Sequence, residues 1–293
     1  MWHVVLDAFL DTLVVFPFLL VIYILIEFLE HRTTFTRNHK ILQGELAPLI
    51  GSATGLIPQC GFSVMAAKLY DKGLIRTGTL MAVFLATSDE AFIILLSSGT
   101  NAGAVMPLAV VKLLVGIGAG YLINFILSNE KLSDAGMEEI HAYSCGREHE
   151  GKSQVRLYLV DPLLHSLKIA FYLLVVNLVF GFIIDAVGED KLAAASMIGG
   201  AYWQPFITAL VGLIPNCASS VVITGAYISR GITFGSCIAG LCCNAGLGLV
   251  VLCRNTKKIK RNLLFVLTLY LISALAGLAV NCLELVLPYN FYF

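Results

Sequence analysis

Long apolar segments constrain this chain more than any other feature. Runs at Thr12–Leu29, Leu80–Ser97 and Leu263–Val280 reach or approach the ~20 apolar residues that cross a bilayer core of ~30 Å. The excess of apolar residues extends over the whole sequence: 58% of the 293 residues are hydrophobic and 13% are charged. A soluble domain has about 25% charged residues. The sequence therefore predicts an all-α, polytopic membrane protein.

Charge, cysteine placement and motifs exclude several other classes. The formal net charge is zero, which gives no electrostatic footprint for nucleic acid. Most of the eight cysteines lie inside apolar segments, which argues against a secreted disulfide framework. The chain has no phosphate-binding Walker A motif, so ATP is not expected as its energy source, and no cofactor is predicted.

An internal repeat organises the sequence. Gly-Leu-Ile-Pro-Gln-Cys at 55–60 returns as Gly-Leu-Ile-Pro-Asn-Cys at 212–217, an offset of 157 residues. The same offset aligns Pro48 with Pro205 and Gly78 with Gly235 without a gap. We interpret this as a duplication with a first transmembrane repeat at 1–128, a cytoplasmic linker at 129–156 and a second transmembrane repeat at 157–293.

Each repeat is predicted to contain the same helical parts. A long helix is followed by a pair of short helices broken at Pro and Gly, and then by two more long helices. The predicted segments are 7–29, 45–57, 58–71, 78–98 and 103–127 in the first repeat, and 159–186, 198–214, 215–229, 233–253 and 262–287 in the second.

Basic loops predict how the repeats are oriented. Lys and Arg mark the cytoplasmic side of short loops, and basic residues flank the first broken pair and precede the last helix (Arg32, Arg37, Lys40, Lys68, Lys72, Arg76, Arg254, Lys257, Lys258, Lys260, Arg261). These loops place both termini outside and give each repeat an odd number of crossings. The fold class expected is therefore two inverted-topology repeats, each with a broken or re-entrant helical hairpin.

The two hairpin tips are the first candidate binding site. Short segments interrupted by Pro and Gly at matching positions of inverted halves point to a transporter site near the membrane midplane. The first tip carries Gln59, Cys60 and Ser63, and the second carries Asn216, Cys217, Ser219 and Ser220. The alternative is a helix-packing notch lined by small residues.

An acidic pair forms the second candidate feature. Ser88, Asp89 and Glu90 interrupt an apolar run, and an ionisable residue inside the membrane is a functional-site hypothesis. The second repeat has no equivalent carboxylate, because Asn244 aligns with Thr87. Glu90 is predicted as a coupling or ion-pair residue, with Lys112 and Lys168 as partners, and the alternative is a set of buried ion pairs without a transport role.

These residues leave the sign of the substrate's charge open. Cys60, Asp89, Cys217 and Asn244 form the predicted metal ligands, since oxygen donors suit Mn²⁺-like cations and thiolates add softer ligands. Two lysines and two helix N-termini could instead hold an oxyanion. In the linker, His141, Cys145 and His149 could collect a metal, but a solvated connector explains them as well.

An intramembrane enzyme is the rival from another class. Cys60 or Cys217 would be its nucleophile, but neither hairpin carries a His to activate the thiol. We therefore predict that the chain is not an enzyme.

The motifs resemble one known family. Gly-Leu-Ile-Pro-Gln-Cys-Gly-Phe-Ser at 55–63, Ala-Thr-Ser-Asp-Glu-Ala at 86–91 and Gly-Leu-Ile-Pro-Asn-Cys at 212–217 are similar to those of the ten-transmembrane heavy-metal exporters. Members of that family are also labelled arsenic efflux proteins or manganese transporters. The resemblance implies an efflux carrier of the bacterial inner membrane, and its motif falls on Pro58, Gln59, Cys60, Ser88, Asp89, Glu90, Pro215, Asn216, Cys217 and Asn244.

Together these observations predict a secondary carrier that exports a divalent cation, with Mn²⁺ as first candidate, in exchange for protons. The substrate-binding residues expected are Gln59, Cys60, Ser63, Ser88, Asp89, Asn216, Cys217, Ser220 and Asn244. An efflux carrier for an oxyanion, an arsenical or another organic anion is the alternative. The partners expected are the transported ion and the lipid bilayer, and a homodimer is left open.

Overall fold

A computed structural model describes residues 44–57, 60–71, 73–87, 91–98, 102–128, 130, 200–254 and 258–286. It also describes single helical positions at Leu6, Phe9, Leu13, Leu163, Leu167, Phe171, Leu174, Val175 and Leu178. Within these residues all regular secondary structure is helical. The helices predicted at 7–29 and 159–186 lie outside the described residues apart from those single positions, as does the linker except for Glu130.

The first group of helices follows the predicted order. Its members are α1 (Ala47–Gly55), α2 (Cys60–Asp71), α3 (Thr77–Ala86), α4 (Ala91–Ser97) and, after a 3₁₀ turn at Ala102–Ala104, α5 (Val105–Ile126). Pro lies in the first turn of α1, where its missing N–H has no helical acceptor to lose.

The second group repeats the first at the same offset. Its members are α6 (Gly200–Gly212), α7 (Cys217–Ile228), α8 (Phe234–Cys243), α9 (Leu247–Cys253) and α10 (Ile259–Val286). The bounds of α7 and α8 lie 157 residues after those of α2 and α3 at both ends. The repeated sequence therefore folds into repeated elements.

The segments predicted as single helices at 78–98 and 233–253 are helical, but each is divided into two helices. Helical geometry ends at Ala86, and Thr87 has an extended ψ of 128°; in the second group α8 ends at Cys243 and α9 begins at Leu247. Hydropathy averaged over a span does not reveal such breaks, because the helices on both sides are apolar.

Several helices are long and apolar enough to cross a membrane. In the described chain these are Thr77–Ser97 taken across its break, Ala102–Ile126 and Ile259–Glu284. The pair α8 and α9, bent by 41°, meets the same criterion when taken together. Length and composition therefore agree with a multi-spanning helical protein.

Close backbone approaches hold each group together at equivalent positions. A Cβ at Gly78 would lie 2.2 Å from the carbonyl oxygen of Gly120, and a Cβ at Gly235 would lie 2.3 Å from that of Gly277. Each residue of the second pair lies 157 positions after its equivalent in the first pair. Small residues allow helices to pack this closely in a membrane, so the repeat extends to the helix interfaces.

The two groups also exchange contacts reciprocally. Helix α2 packs on α9, and its equivalent α7 packs on α4. In the same way α5 contacts α8, and α10 contacts α3. Such an arrangement is what a two-fold relation between equivalent units produces, and it joins both groups in one hydrophobic core that includes Phe84, Ile223 and Phe265.

Candidate functional site

The two helix breaks differ in how their backbones turn. After α3, the Thr87 hydroxyl donates a hydrogen bond to the Val83 carbonyl at 2.7 Å. After α8, Asn244 has a ψ of 87° and Gly246 has a φ of +53°, a conformation that glycine adopts without the steric cost of a Cβ. The Asn-Ala-Gly sequence was a signal that could have revealed this second break.

Lys112 joins the two breaks. Its side chain is fully buried, and its Nζ donates hydrogen bonds to the carbonyl oxygens of Thr87 at 2.6 Å and Leu241 at 2.7 Å. Thr87 ends α3, and Leu241 lies in the last turn of α8. One ammonium group therefore contacts the C-terminal ends of two equivalent helices, one from each group.

The Leu241 carbonyl is available because α8 ends early. In a continued helix the N–H of Ala245 would donate to this oxygen, but that N–H bonds the Cys243 carbonyl instead. Carbonyls at a helix C-terminus need other partners and carry a partial negative charge. Lys112 supplies both a donor and a positive charge at this position.

Asn244 connects the second break to the second hairpin tip. Its Nδ2 donates to the Ser219 hydroxyl oxygen at 3.2 Å, and its Oδ1 accepts from the Gly246 N–H at 3.0 Å. The Ser219 hydroxyl in turn lies 2.7 Å from the Asn216 carbonyl oxygen. Asn216 and Asn244, predicted together from sequence, are thus linked through Ser219, and both are 5% exposed.

The helix of the first tip, α2, contacts α9, the helix that follows the second break. Ser63 of α2 is fully buried, and a Cβ at Gly248 of α9 would lie 2.8 Å from the Ser63 backbone. Ser220, the equivalent of Ser63, is buried on α7, the helix that packs on α4. The described parts of both tips therefore neighbour the helix that follows the opposite group's break.

More than half of the chain matches one protein family. Residues 1–164 match the pattern of a protein family described as "Putative, 10TM heavy-metal exporter", which is more than half of the chain. The chain belongs to this family. No curated protein and no solved structure matches it.

Membership of this heavy-metal exporter family agrees with the resemblance of the sequence motifs. The matched segment contains the first hairpin, the first break and Lys112, and the family is one of membrane transporters. The second hairpin and Asn244 lie beyond the matched residues.

Several predicted site residues have no described position in this exporter family member. Gln59, Ser88, Asp89, Glu90, Lys168, His141, Cys145 and His149 lie outside the described residues, as do the side chains of Cys60 and Cys217. Among the side chains that the structure describes, no group of three or more His, Cys, Asp and Glu residues could hold a metal ion. The predicted metal ligands therefore stay a prediction.

The main-chain acceptors of Lys112 were not predictable from the sequence. The sequence predicts a carboxylate partner for Lys112, which stays a prediction, and the structure adds two backbone carbonyl acceptors. Every residue has a main-chain carbonyl, so the residue type of Leu241 does not show that its carbonyl accepts this hydrogen bond.

Proposed function

We propose that this protein is a gradient-driven carrier that exports a divalent metal cation in exchange for protons, with Mn²⁺ as the first candidate. One observation carries the proposal: two equivalent helix breaks, one from each repeat, meet in the buried centre at Lys112. Broken helices at corresponding positions of repeated halves are typical of transporter binding sites near the midplane.

The proposed architecture is a pair of inverted repeats, 1–128 and 157–293, joined by a cytoplasmic linker at 129–156. The reciprocal packing of α2 on α9 and of α7 on α4 supports a two-fold relation between them. The basic loops support an axis in the membrane plane, since they place both termini outside. Labelling of single cysteines at the termini, in inside-out vesicles for the cytoplasmic face and in intact cells for the outer face, tests this topology. Labelling of both termini from the cytoplasmic face would contradict it.

The proposed substrate site lies between the hairpin tips and the breaks. Its residues are Gln59, Cys60, Ser63, Ser88, Asp89, Asn216, Cys217, Ser220 and Asn244, with Glu90 as the coupling residue and with Cys60, Asp89, Cys217 and Asn244 as metal ligands. The contacts of Ser63 with α9 and of Asn244 with Ser219 support this grouping. Movement of one repeat past the other would open the site alternately to each side of a bacterial inner membrane.

One observation favours a second candidate, the efflux of an oxyanion, an arsenical or another organic anion. In the described part of the chain, the charged side chain buried in the helical core is a cation, Lys112. A buried ammonium beside helix breaks could act as the counter-charge of a negative substrate.

A flux panel in proteoliposomes separates the two candidates. Mn²⁺, Zn²⁺, Ca²⁺, arsenite and phosphate are tested with and without a pH gradient. We expect pH-gradient-driven Mn²⁺ flux that is lost in Asp89→Asn and Cys60→Ala, with both variants still folded and monodisperse. Anion flux that survives Asp89→Asn would support the second candidate, and normal Mn²⁺ flux in both variants would reject the proposed site.

A further inference from the structure

Lys112 is placed where broken-helix transporters bind a coupling ion. Unwound carbonyls and the C-terminal ends of half-helices coordinate Na⁺ in such proteins. Here the carbonyl oxygens of Thr87 and Leu241 lie at the ends of two half-helices, and both accept hydrogen bonds from the Lys112 ammonium. The position that would suit a cation is thus filled by a side chain.

We propose that Lys112 is a positioning residue, a built-in cation that takes the place of a bound alkali ion and holds the two helix breaks together. This inference rests on the proposed transport function for its flux consequences only. Its structural part, the need for a positive charge at these two carbonyls, stands on the hydrogen bonds alone.

Burial makes the charge of Lys112 depend on its protein contacts. Lys112 has 0% of its surface exposed, so its charge is stabilised by the groups that it contacts and not by water. Hydrogen bonds from a charged donor are stronger than neutral ones, and a cation at a helix C-terminus is favoured by the helix dipole. Two helix ends that both point carbonyls at one place need such a cation.

The Leu241 bond also spans the two repeats. Lys112 lies on α5 in the first repeat, and Leu241 lies on α8 in the second, 129 residues later in the chain. Any relative movement of the repeats that separates these helices must break this bond while the Thr87 bond, within the first repeat, can persist. Such a movement would leave the Lys112 ammonium bonded to the first break and release it from the second.

The repeat provides a matched control at Leu269. This residue of α10 lies 157 positions after Lys112 and is also 0% exposed. Truncation at Leu269 creates a cavity at the equivalent place without removing a charge. A difference between the two sites therefore reports the ammonium and not the lost volume.

Chemical rescue of the purified full-length protein in detergent tests the need for charge. Lys112→Ala should lower the midpoint of thermal unfolding by about 5 °C or more, because two buried carbonyls lose their donor. n-Propylammonium, which replaces the missing atoms, should restore much of this loss, while neutral 1-propanol should not. Leu269→Ala should show no preference for the ammonium. An equal response of Lys112→Ala to both compounds, or no response to either, would overturn the proposal.

Flux measurements test the alkali-ion substitution. Wild-type flux should be unchanged when Na⁺ is replaced by choline, and Lys112→Met should lose about tenfold or more. Lys112→Arg should lose less than Lys112→Met, because it keeps the charge although its shape differs. Sodium-dependent wild-type flux, or normal flux in Lys112→Met, would contradict the inference. If wild-type protein transports none of the five ions, the proposed function fails, and the thermal rescue still decides the role of Lys112.

Discussion

The backbone N–H of Gly78 donates a hydrogen bond to the side-chain oxygen of Asn124 at 3.1 Å, where α3 crosses α5. The equivalent pair, Gly235 and Asn281, also approaches closely: a Cβ at Gly235 would lie 2.3 Å from the Asn281 side-chain oxygen, and one at Gly78 would lie 2.5 Å from that of Asn124. A close approach of glycine to asparagine thus recurs at the same helix crossing in both repeats. These two glycines are therefore sensitive positions of the scaffold.

Gly78→Ala should destabilise the fold. Its Cβ would lie 2.2 Å from the Gly120 carbonyl oxygen and 2.5 Å from the Asn124 side-chain oxygen, so the helices must separate at a cost of about 1–3 kcal/mol. Thermal unfolding in detergent measures the change. Gly118→Ala is the control, because no neighbouring heavy atom of the described residues lies within 4 Å of its Cβ position. Equal stability of the two variants would refute the packing argument.

Gly248→Ala should separate the first hairpin from the second break. The new Cβ would lie 2.8 Å from three atoms of Ser63, two of them in the backbone, so α2 and α9 cannot keep their spacing. We expect flux to fall more than stability, because the affected contact lies at the proposed site. Gly225→Ala on α7, which meets no described neighbour within 4 Å, should transport normally. Wild-type flux in Gly248→Ala would show that this contact is not needed.

Asn244 and Ser219 should be energetically coupled. Each single alanine variant removes the hydrogen bond between them, at a cost of about 1 kcal/mol, in the range found for hydrogen bonds between membrane helices. The double variant should lose less than the sum of the single losses, by about 0.5 kcal/mol or more. Thermal or denaturant unfolding of all four proteins gives this cycle, and strictly additive losses would mean that the bond carries no stability.

Glu130→Ala should loosen the start of α3. The Glu130 carboxylate accepts hydrogen bonds from the Thr77 N–H at 2.8 Å and the Thr77 hydroxyl at 2.7 Å, and it places negative charge at a helix N-terminus. Its removal should cost about 1 kcal/mol, as for a lost N-cap, measured by thermal unfolding.

Lys258→Ala provides the contrast for Glu130→Ala. The ion pair between Lys258 and Asp71 spans 3.6 Å, and both side chains are about 40% exposed. Exposed pairs contribute about 0–1 kcal/mol, so this variant should lose less stability than Glu130→Ala. The reverse order would mean that the surface pair, not the helix cap, secures this end of the bundle.

The sequence determined the parts of this fold and their order. The recurrence of Gly-Leu-Ile-Pro followed by Cys predicted two short helices meeting at each Pro, and the structure places α1, α2, α6 and α7 there. These elements were readable because Pro and Gly act locally, on the backbone of their own residues. Family membership was readable for the same reason, from contiguous motifs.

Only the tertiary structure decided where helices end and which groups contact each other. No Pro or Gly marks the break after Ala86, and the acceptors of Lys112 are main-chain oxygens of Thr87 and Leu241. Neither feature can be read locally, because a helix end is set by the partners available to its carbonyls, and those partners come from helices far away in the chain. Hydropathy encodes burial, whereas the choice of neighbour depends on where small residues let backbones approach.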